Sequence, residues 1–409
     1  MNPGRPKRVL ILEIIPGGHH PFVVRFLLDS GLANTAEITL ASPASFFAHD
    51  AIASCGAPFQ RHPIDARPIL DVFPKHLSPV TMLRRSWILG GIYRKAFAEL
   101  SKDAVIDFVI VPYLDNCVLG LALPTAPFGA TPWLALTMRT MFHFPMMGVA
   151  SPRQTFSNLR RRLIYRVLGQ KSAAALLTID PTLAEFAQKQ NHPRFRKIRY
   201  VPDPTRHHAN LPVRAEARRV LGISDEARVV LLFGEIDGRK GVASLLNAAA
   251  SPGCSQQIHV LLAGKLWGPE GLRESEAWVR LMSKRRLHAI LEYVDDECEQ
   301  LLLAAADCMW VGYIGFYGVS GVMALGGRHA LPALACEQGL IGHIAKAHEL
   351  GAVVDPTNVS DIVSALNRLV TDPEYFVQAG QRALAYYDNH GPAALQRTVT
   401  DIVGQFGTR

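Results

Sequence analysis

The chain has 409 residues, which exceeds what one core usually organises and favours two domains of roughly 200 residues each. Hydrophobic residues make up 49% and charged residues 19%, which excludes a disordered chain, and no apolar run reaches the ~20 residues needed to cross a bilayer. The formal charge of +8 is uneven: residues 1–205 carry 24 basic and 13 acidic side chains and the remainder 19 and 22, so attraction for an anionic partner belongs to the first half.

The opening MNPGRPKRVLILEIIP joins a basic start to a short apolar run, but Glu13 interrupts it and no small-residue cleavage site follows. It reads as a first buried strand and not as a signal peptide. Further runs rich in Val, Ile and Leu fall at 107–113, 132–138 and 174–179, then at 229–234, 258–264, 308–313 and 330–335, each followed by helix-like sequence. Strand alternating with helix is the pattern of a buried parallel sheet. The prediction is therefore an α/β protein of two Rossmann-like, doubly wound domains. In IRYVPDPTRHH, Pro202 and Pro204 stop a helix and hold the chain extended, which puts the boundary there. The expected division is an N-terminal domain over 1–203, a C-terminal domain over 204–380, and a final segment over 381–409 with a helix break at Asn389–Pro392. Cys55, Cys117, Cys254, Cys298, Cys308 and Cys336 show no paired or metal-ligand spacing, so free thiols and a cytoplasmic location are expected.

Three constellations have the residue types for chemistry. Pro16-Gly17-Gly18-His19-His20-Pro21 follows the first strand, where glycines let a substrate approach amides at a helix start and His19 or His20 can carry a proton. A plain turn explains it equally well. Phe233-Gly234-Glu235-Ile236-Asp237-Gly238-Arg239-Lys240-Gly241 leads from a strand through two adjacent cations into the helix VASLLNAAA. Arg239 and Lys240 there have the charge to hold a diphosphate and stabilise a departing nucleotide without a metal; the alternative is a solvated basic turn. Gly315-Phe316-Tyr317-Gly318-Val319-Ser320-Gly321-Val322 opens another helix, with Ser320 and the amides of Gly321 and Val322 placed for phosphate.

In FGEIDGRKGVASLL, EYVDDECEQLLLAAADCMWVGY and VSGVMALGGRHALPALACEQGLIGHIAKAHELGAVVDPTN, the second half resembles the donor domain of family 4 glycosyltransferases over residues 215–370. The resemblance implies the GT-B fold, two domains facing across a cleft, and transfer of a sugar from a nucleotide-sugar donor to a glycan, lipid-linked or other glycoconjugate acceptor. It implies a phosphate site at Lys240, Ser320, Gly321 and Val322, a base pocket near Tyr293 and Val294, and no cofactor or metal beyond a UDP- or GDP-sugar. The first half then holds the acceptor, with Gly17, Gly18 and His19 toward the donor, and Arg139 of LTMRTMFHF as a further cleft residue. His19, His20 and Arg139 are the catalytic candidates, and the resemblance further implies that the anomeric configuration is retained and that the final helix crosses back to the first domain. Two positions depart from the family: Tyr317 and Leu325 stand where a pair of glutamates is usual, and Glu235 replaces an arginine whose charge Arg239 is then expected to supply.

RQTFSNLRRRLIYRVLGQK (153–171) sets Phe156, Leu159, Leu163 and Val167 at helical spacing beside an arginine cluster. It reads as a core-packing helix with a solvated cationic face, or as a peripheral contact with an anionic membrane. Asp295-Asp296 has no third ligand nearby and reads as solvated. The competing functions are a degenerate GT-B partner protein that binds without turnover and a sugar-nucleotide epimerase, for which no acid/base carboxylate set is visible. No nucleic-acid module accompanies the basic charge.

Overall fold

The computed structural model describes residues 5–66, 78–152 and 157–406. The chain forms two compact units, one from Met1–Gly148, Pro152–Pro204 and Pro392–Arg409, the other from Val149–Ser151 and Thr205–Gly391.

The first unit is built on seven strands: β1 Lys7–Leu12, β2 Ala36–Ser42, β3 Gln60–Pro63, β4 Phe108–Val111, β5 Trp133–Thr137, β6 Ala173–Thr178 and β7 Ile198–Tyr200. They pair in parallel in the order β3-β2-β1-β4-β5-β6-β7. Burial on both faces explains why β4 is apolar throughout and β5 is apolar up to its last residue, Thr137, without alternation. Trp133 and Phe128 meet edge to face in the core beside Leu163, Ile164, Val167 and Leu168 of the helix Ser157–Gly169. That helix therefore turns Leu163 and Val167 of the predicted stripe inward; Phe156 lies outside the described residues. The helix Pro79–Asp103 crosses the short helix Val118–Ala122 at two glycines, where a Cβ on Gly90 would lie 2.5 Å from the Gly120 Cα.

The second unit has six strands: β8 Arg228–Phe233, β9 Ile258–Ala263, β10 Leu287–Ile290, β11 Cys308–Val311, β12 Ala333–Cys336 and β13 Gly351–Val354. All pair in parallel, in the order β10-β9-β8-β11-β12-β13. Beneath them the buried Arg218 guanidinium is paired to Asp307 at 2.8 Å and donates to the carbonyls of Ala305 and Asp225, which offsets the cost of burying the charge.

All eight expected runs contain strands. The five unexpected strands are β2, β3, β7, β10 and β13, of which the last four form the sheet edges. An edge strand has one neighbour and admits polar residues, as QRHP in β3 does, so it lacks the apolar signature. All six cysteines are free. Among the described residues no helix is long and apolar enough to cross a membrane.

Candidate active site

In both sheets the strand order reverses beside the first strand of the unit, between β1 and β4 and between β8 and β11. Such a switch point opens a crevice at the carboxyl ends of the strands, where ligands of doubly wound sheets bind. The sequence candidates fall largely on the loops at those two places.

In the second unit the loop after β8 is a tight turn held from several sides. Asp237 accepts the Lys240 amide at 3.2 Å, and Gly241 takes a left-handed conformation (φ 64°) that starts the helix Val242–Ala250. No other residue type fits easily at Gly241, because a Cβ there would lie 2.4 Å from the Gly312 carbonyl oxygen just after β11. Trp310 Nε1 donates to the Lys240 carbonyl at 2.8 Å and the Ile314 amide to the Arg239 carbonyl at 2.7 Å, so the two loops form one body.

The Lys240 side chain is 4% exposed and its ammonium donates to the Phe233 carbonyl. Burial, with Arg239 adding to it, lowers its pKa to about 8. Among the described residues no carboxylate lies within ion-pair distance of this ammonium. Arg239 is half-buried, its guanidinium 5.1 Å from the Phe316 ring and 5.5 Å from the Tyr313 ring, with Asp237 3.5 Å away. Ser320 caps the helix Gly321–Gly327 by accepting the Met323 amide at 3.2 Å, and its hydroxyl lies 3.4 Å from the Tyr313 hydroxyl, whose pKa burial raises to about 12. Arg239, Lys240, Ser320, Gly321 and Val322 thus belong to one cluster, with Tyr313 and Phe316 as members that the sequence reading did not single out.

Tyr293 and Val294 stand apart from that cluster. They follow β10, with β9 between them and β8, and Tyr293 is 83% exposed. The loop after β9 bridges the gap: Ile236 donates to the Lys265 carbonyl at 2.9 Å and Trp267 to the Ile236 carbonyl at 2.8 Å. Trp267 is 60% exposed, with the Lys265 ammonium 4.3 Å from its ring, and its position after an apolar strand in GKLWGP was the available signal. At the positions that depart from the pattern the sequence otherwise resembles, Leu325 is buried in the core and Tyr317 is half-buried; Glu235 is exposed. Asp295 caps the helix Asp296–Ala305 through the Cys298 amide and Asp296 pairs with Arg206, so both acids have structural partners. Among the described residues no cluster of three His, Cys, Asp or Glu side chains suits a metal.

In the first unit, Gly17 and Gly18 form an exposed turn, with Gly18 at φ 65°, that leads through His19 into the helix His20–Leu28. Glu13 follows β1 and is 1% exposed; its Oε1 accepts the amides of Ile14 and Ile15 at 2.9 and 3.0 Å. Its Oε2 lies 3.1 Å from His20 Nδ1 without the alignment of a hydrogen bond, so both atoms remain buried and unsatisfied among the described residues. The His20 ring lies 4.2 Å from Tyr113, which follows β4, and His19 lies 5.5 Å from the same ring. His19 as a residue is exposed while its imidazole is crowded; that desolvation, with His20 and Arg139, lowers its pKa. Arg139 is exposed just after β5, its guanidinium 6.0 Å from the Tyr113 ring. The buried Asp115 carboxylate fixes that loop by accepting from Thr137 Oγ1 at 2.9 Å, the Met138 amide at 2.7 Å and the Arg139 amide at 3.2 Å. His19, His20 and Arg139 therefore surround Tyr113. Glu13 entered the sequence reading only as the residue that breaks an apolar run.

No family model matches the chain, and neither does any curated protein. Solved structures do. The chain is similar to a sucrose-phosphate synthase from Thermosynechococcus elongatus at 15% identity and TM-score 0.66, over 98% of each chain. It is similar to Anabaena HepE in complex with UDP and glucose at 14% identity and TM-score 0.64, over 98% of this chain and 100% of that one. A third is WaaG, a glycosyltransferase involved in lipopolysaccharide biosynthesis, at 15% identity and TM-score 0.60, over 97% and 99%. The N-terminal domain of a Candida albicans trehalose-6-phosphate phosphatase is similar at 11% identity and TM-score 0.63, over 98% and 97%. At such identities the likeness fixes the fold, and that fold is GT-B.

Proposed function

We propose that the chain is a glycosyltransferase that binds a nucleotide sugar, a UDP- or GDP-sugar, in its second unit and a glycan, lipid-linked or other glycoconjugate acceptor in its first. The observation that carries this is Lys240: a buried ammonium that donates to a carbonyl, lies 5.8 Å from the Tyr313 ring and, among the described residues, has no carboxylate within ion-pair distance, held at a switch point, lacks the counter-charge that burial normally demands. A diphosphate supplies it. Turned from the Phe233 carbonyl toward the donor, Lys240 with Arg239 balances the charge that develops as the nucleoside diphosphate leaves, and no metal is required of the protein. Ser320 and the amides of Gly321 and Val322 complete the phosphate cradle, and Tyr293, Val294 and Trp267 offer the base a surface.

In the first unit His20, with Glu13 Oε2 3.1 Å from its Nδ1, is the proton acceptor, while His19 and Arg139 face the reacting groups. Retention of configuration follows from the family resemblance, with the donor phosphate assisting proton removal; the anomer formed, read by NMR, tests it. Peripheral membrane contact, if this acceptor is lipid-linked, falls to the helix Pro79–Asp103, where Val80, Met82 and Trp87 are exposed, since the helix Ser157–Gly169 buries its apolar stripe.

The test is thermal stabilisation by UDP, GDP, ADP, TDP and CMP sugars, followed by donor hydrolysis and transfer. One nucleotide family is expected to stabilise the protein, and Lys240→Ala is expected to abolish both stabilisation and turnover. Unchanged turnover in that variant removes the phosphate assignment. One observation favours the second reading, a binding partner without turnover: Leu325, at a position where relatives carry a sugar-site glutamate, is buried in the core. Nucleotide binding without hydrolysis or transfer would establish it.

A further inference from the structure

The first unit carries a cavity at the end of its sheet opposite the Glu13, Tyr113 and Arg139 loops. It has a volume of about 680 Å³ and opens between the end of the helix Ser157–Gly169, the turn after the helix Val118–Ala122 and the residues that enter β5 and β6. Arg166, Lys171 and Arg194 stand around it, and among the described residues no carboxylate lies within ion-pair distance of any of them. Neutralising the end of the helix accounts for only part of this charge. Lys197 already serves the Gln170 carbonyl at 2.7 Å, and Arg166 reaches the carbonyls of Ala122 and Leu123 at 3.4 and 3.3 Å.

The wall adds a second, independent feature. Gln170 is 6% exposed, and its amide nitrogen donates to the carbonyls of Leu121 at 2.7 Å and Pro124 at 2.9 Å, which fixes the orientation of the amide. Its Oε1 is left without a partner among the described residues, and so is the buried Oγ of Ser172, another residue that lines the cavity. A buried acceptor left unpaired costs free energy and is rarely retained without a use.

We propose that this cavity binds an acidic carbohydrate, a sugar carrying a phosphate or carboxylate group. The cations call for an anion, but a phosphate or carboxylate only accepts hydrogen bonds and cannot satisfy Gln170 Oε1. A hydroxyl can, and Ser172 Oγ pairs with either kind of group. The half-buried ring of Tyr165 supplies an apolar face for the sugar. The site lies within the first unit and does not depend on the nucleotide site or on the reaction assigned to it.

The test is calorimetric titration of the full chain with glucose 6-phosphate, glucuronate, inorganic phosphate and glucose. At least one sugar acid is expected to bind roughly tenfold or more tightly than inorganic phosphate, the worth of one to two added hydrogen bonds, and glucose without a charge is expected to bind far more weakly. Comparison of glucose 6-phosphate with glucuronate identifies the acid. Lys171→Gln with Arg194→Gln, both at exposed positions, is expected to weaken that binding by about tenfold or more, as expected for losing charge-assisted contacts. Ser172→Ala, which removes a hydroxyl the fold leaves unpaired, is expected to narrow the preference for the sugar acid over inorganic phosphate at unchanged melting temperature. Equal binding of inorganic phosphate and both sugar acids, or undiminished sugar-acid binding in the double variant, overturns the proposal.

Discussion

At the scale of single residues the chemistry turns on charges that the fold has desolvated. Lys240 is the sharpest case, because burial lowers its pKa to about 8. Below that pH the ammonium is charged and available to a diphosphate; above it the free protein loses the proton that the complex needs. Affinity for the nucleotide is therefore expected to stay level up to about pH 8 and to fall above it, approaching tenfold per pH unit. Calorimetry of the stabilising nucleoside diphosphate across that range checks this, and Lys240→Arg, charged throughout, is expected to flatten the profile. An affinity that stays level through pH 9 and beyond would place the phosphate away from Lys240. The lysine was legible in sequence because a strand, two cations and a glycine stand in a row. Glu13 was not, because a carboxylate folded onto its own backbone amides sits inside an apolar run and looks like an interruption. Tyr113 and Tyr313 were hidden for a related reason: an aromatic at the end of a buried strand has the composition of core, and only the topology shows which loop it faces.

At the scale of elements the β8 and β11 loops act as one piece, and the glycine between them is the joint. Gly241→Ala places a side chain on left-handed backbone and drives its Cβ against the Gly312 carbonyl. The two effects together are expected to cost about 2–4 kcal/mol, a fall of roughly 5–15 °C in melting temperature for a unit of this size, and nucleotide binding is expected to weaken with it. Gly238→Ala in the same loop is the control, since nothing lies within 4 Å of its added Cβ, and its effect is expected to stay within about 0.5 kcal/mol. Similar losses in both variants would show that the loop tolerates or rejects side chains irrespective of the β11 contact. The sequence announced this joint only partly. The cations and the helix start are local, but the need for glycine at Gly241 comes from a carbonyl some seventy residues away, and no local pattern records a distant close approach. Most central strands were readable because burial on both faces makes them largely apolar; β2, with Glu37 and Thr39 in AEITLAS, was not. The edge strands β3, β7, β10 and β13 were not, since half of their surroundings impose no such demand.

At the scale of the whole molecule, the chain leaves the first unit after Pro204 and returns to it at Pro392. The returning helix Pro392–Gly404 is part of the first core, with Leu395, Val399, Ile402 and Val403 buried. It is also tied by polar contacts: Lys7 Nζ donates to the Val403 carbonyl at 2.9 Å and Gln396 Nε2 to the Phe26 carbonyl at 3.1 Å. Four buried aliphatic side chains are worth about 6–12 kcal/mol, comparable with the entire stability of an ordinary domain. A chain ended at Gly391 is therefore expected to lose the first unit and to keep the second, whose sheet and Lys240 loop contain nothing from the deleted segment. Thermal unfolding should then show the loss of one transition while the other survives and still shifts upward with the nucleotide, because a ligand that binds only the folded unit raises its stability by mass action. Hydrogen exchange should locate the unprotected amides in β1–β7 and leave β8–β13 protected. If the truncated chain instead loses both transitions together, the two units fold as one cooperative body, and the proposed nucleotide site cannot be studied apart from the first unit.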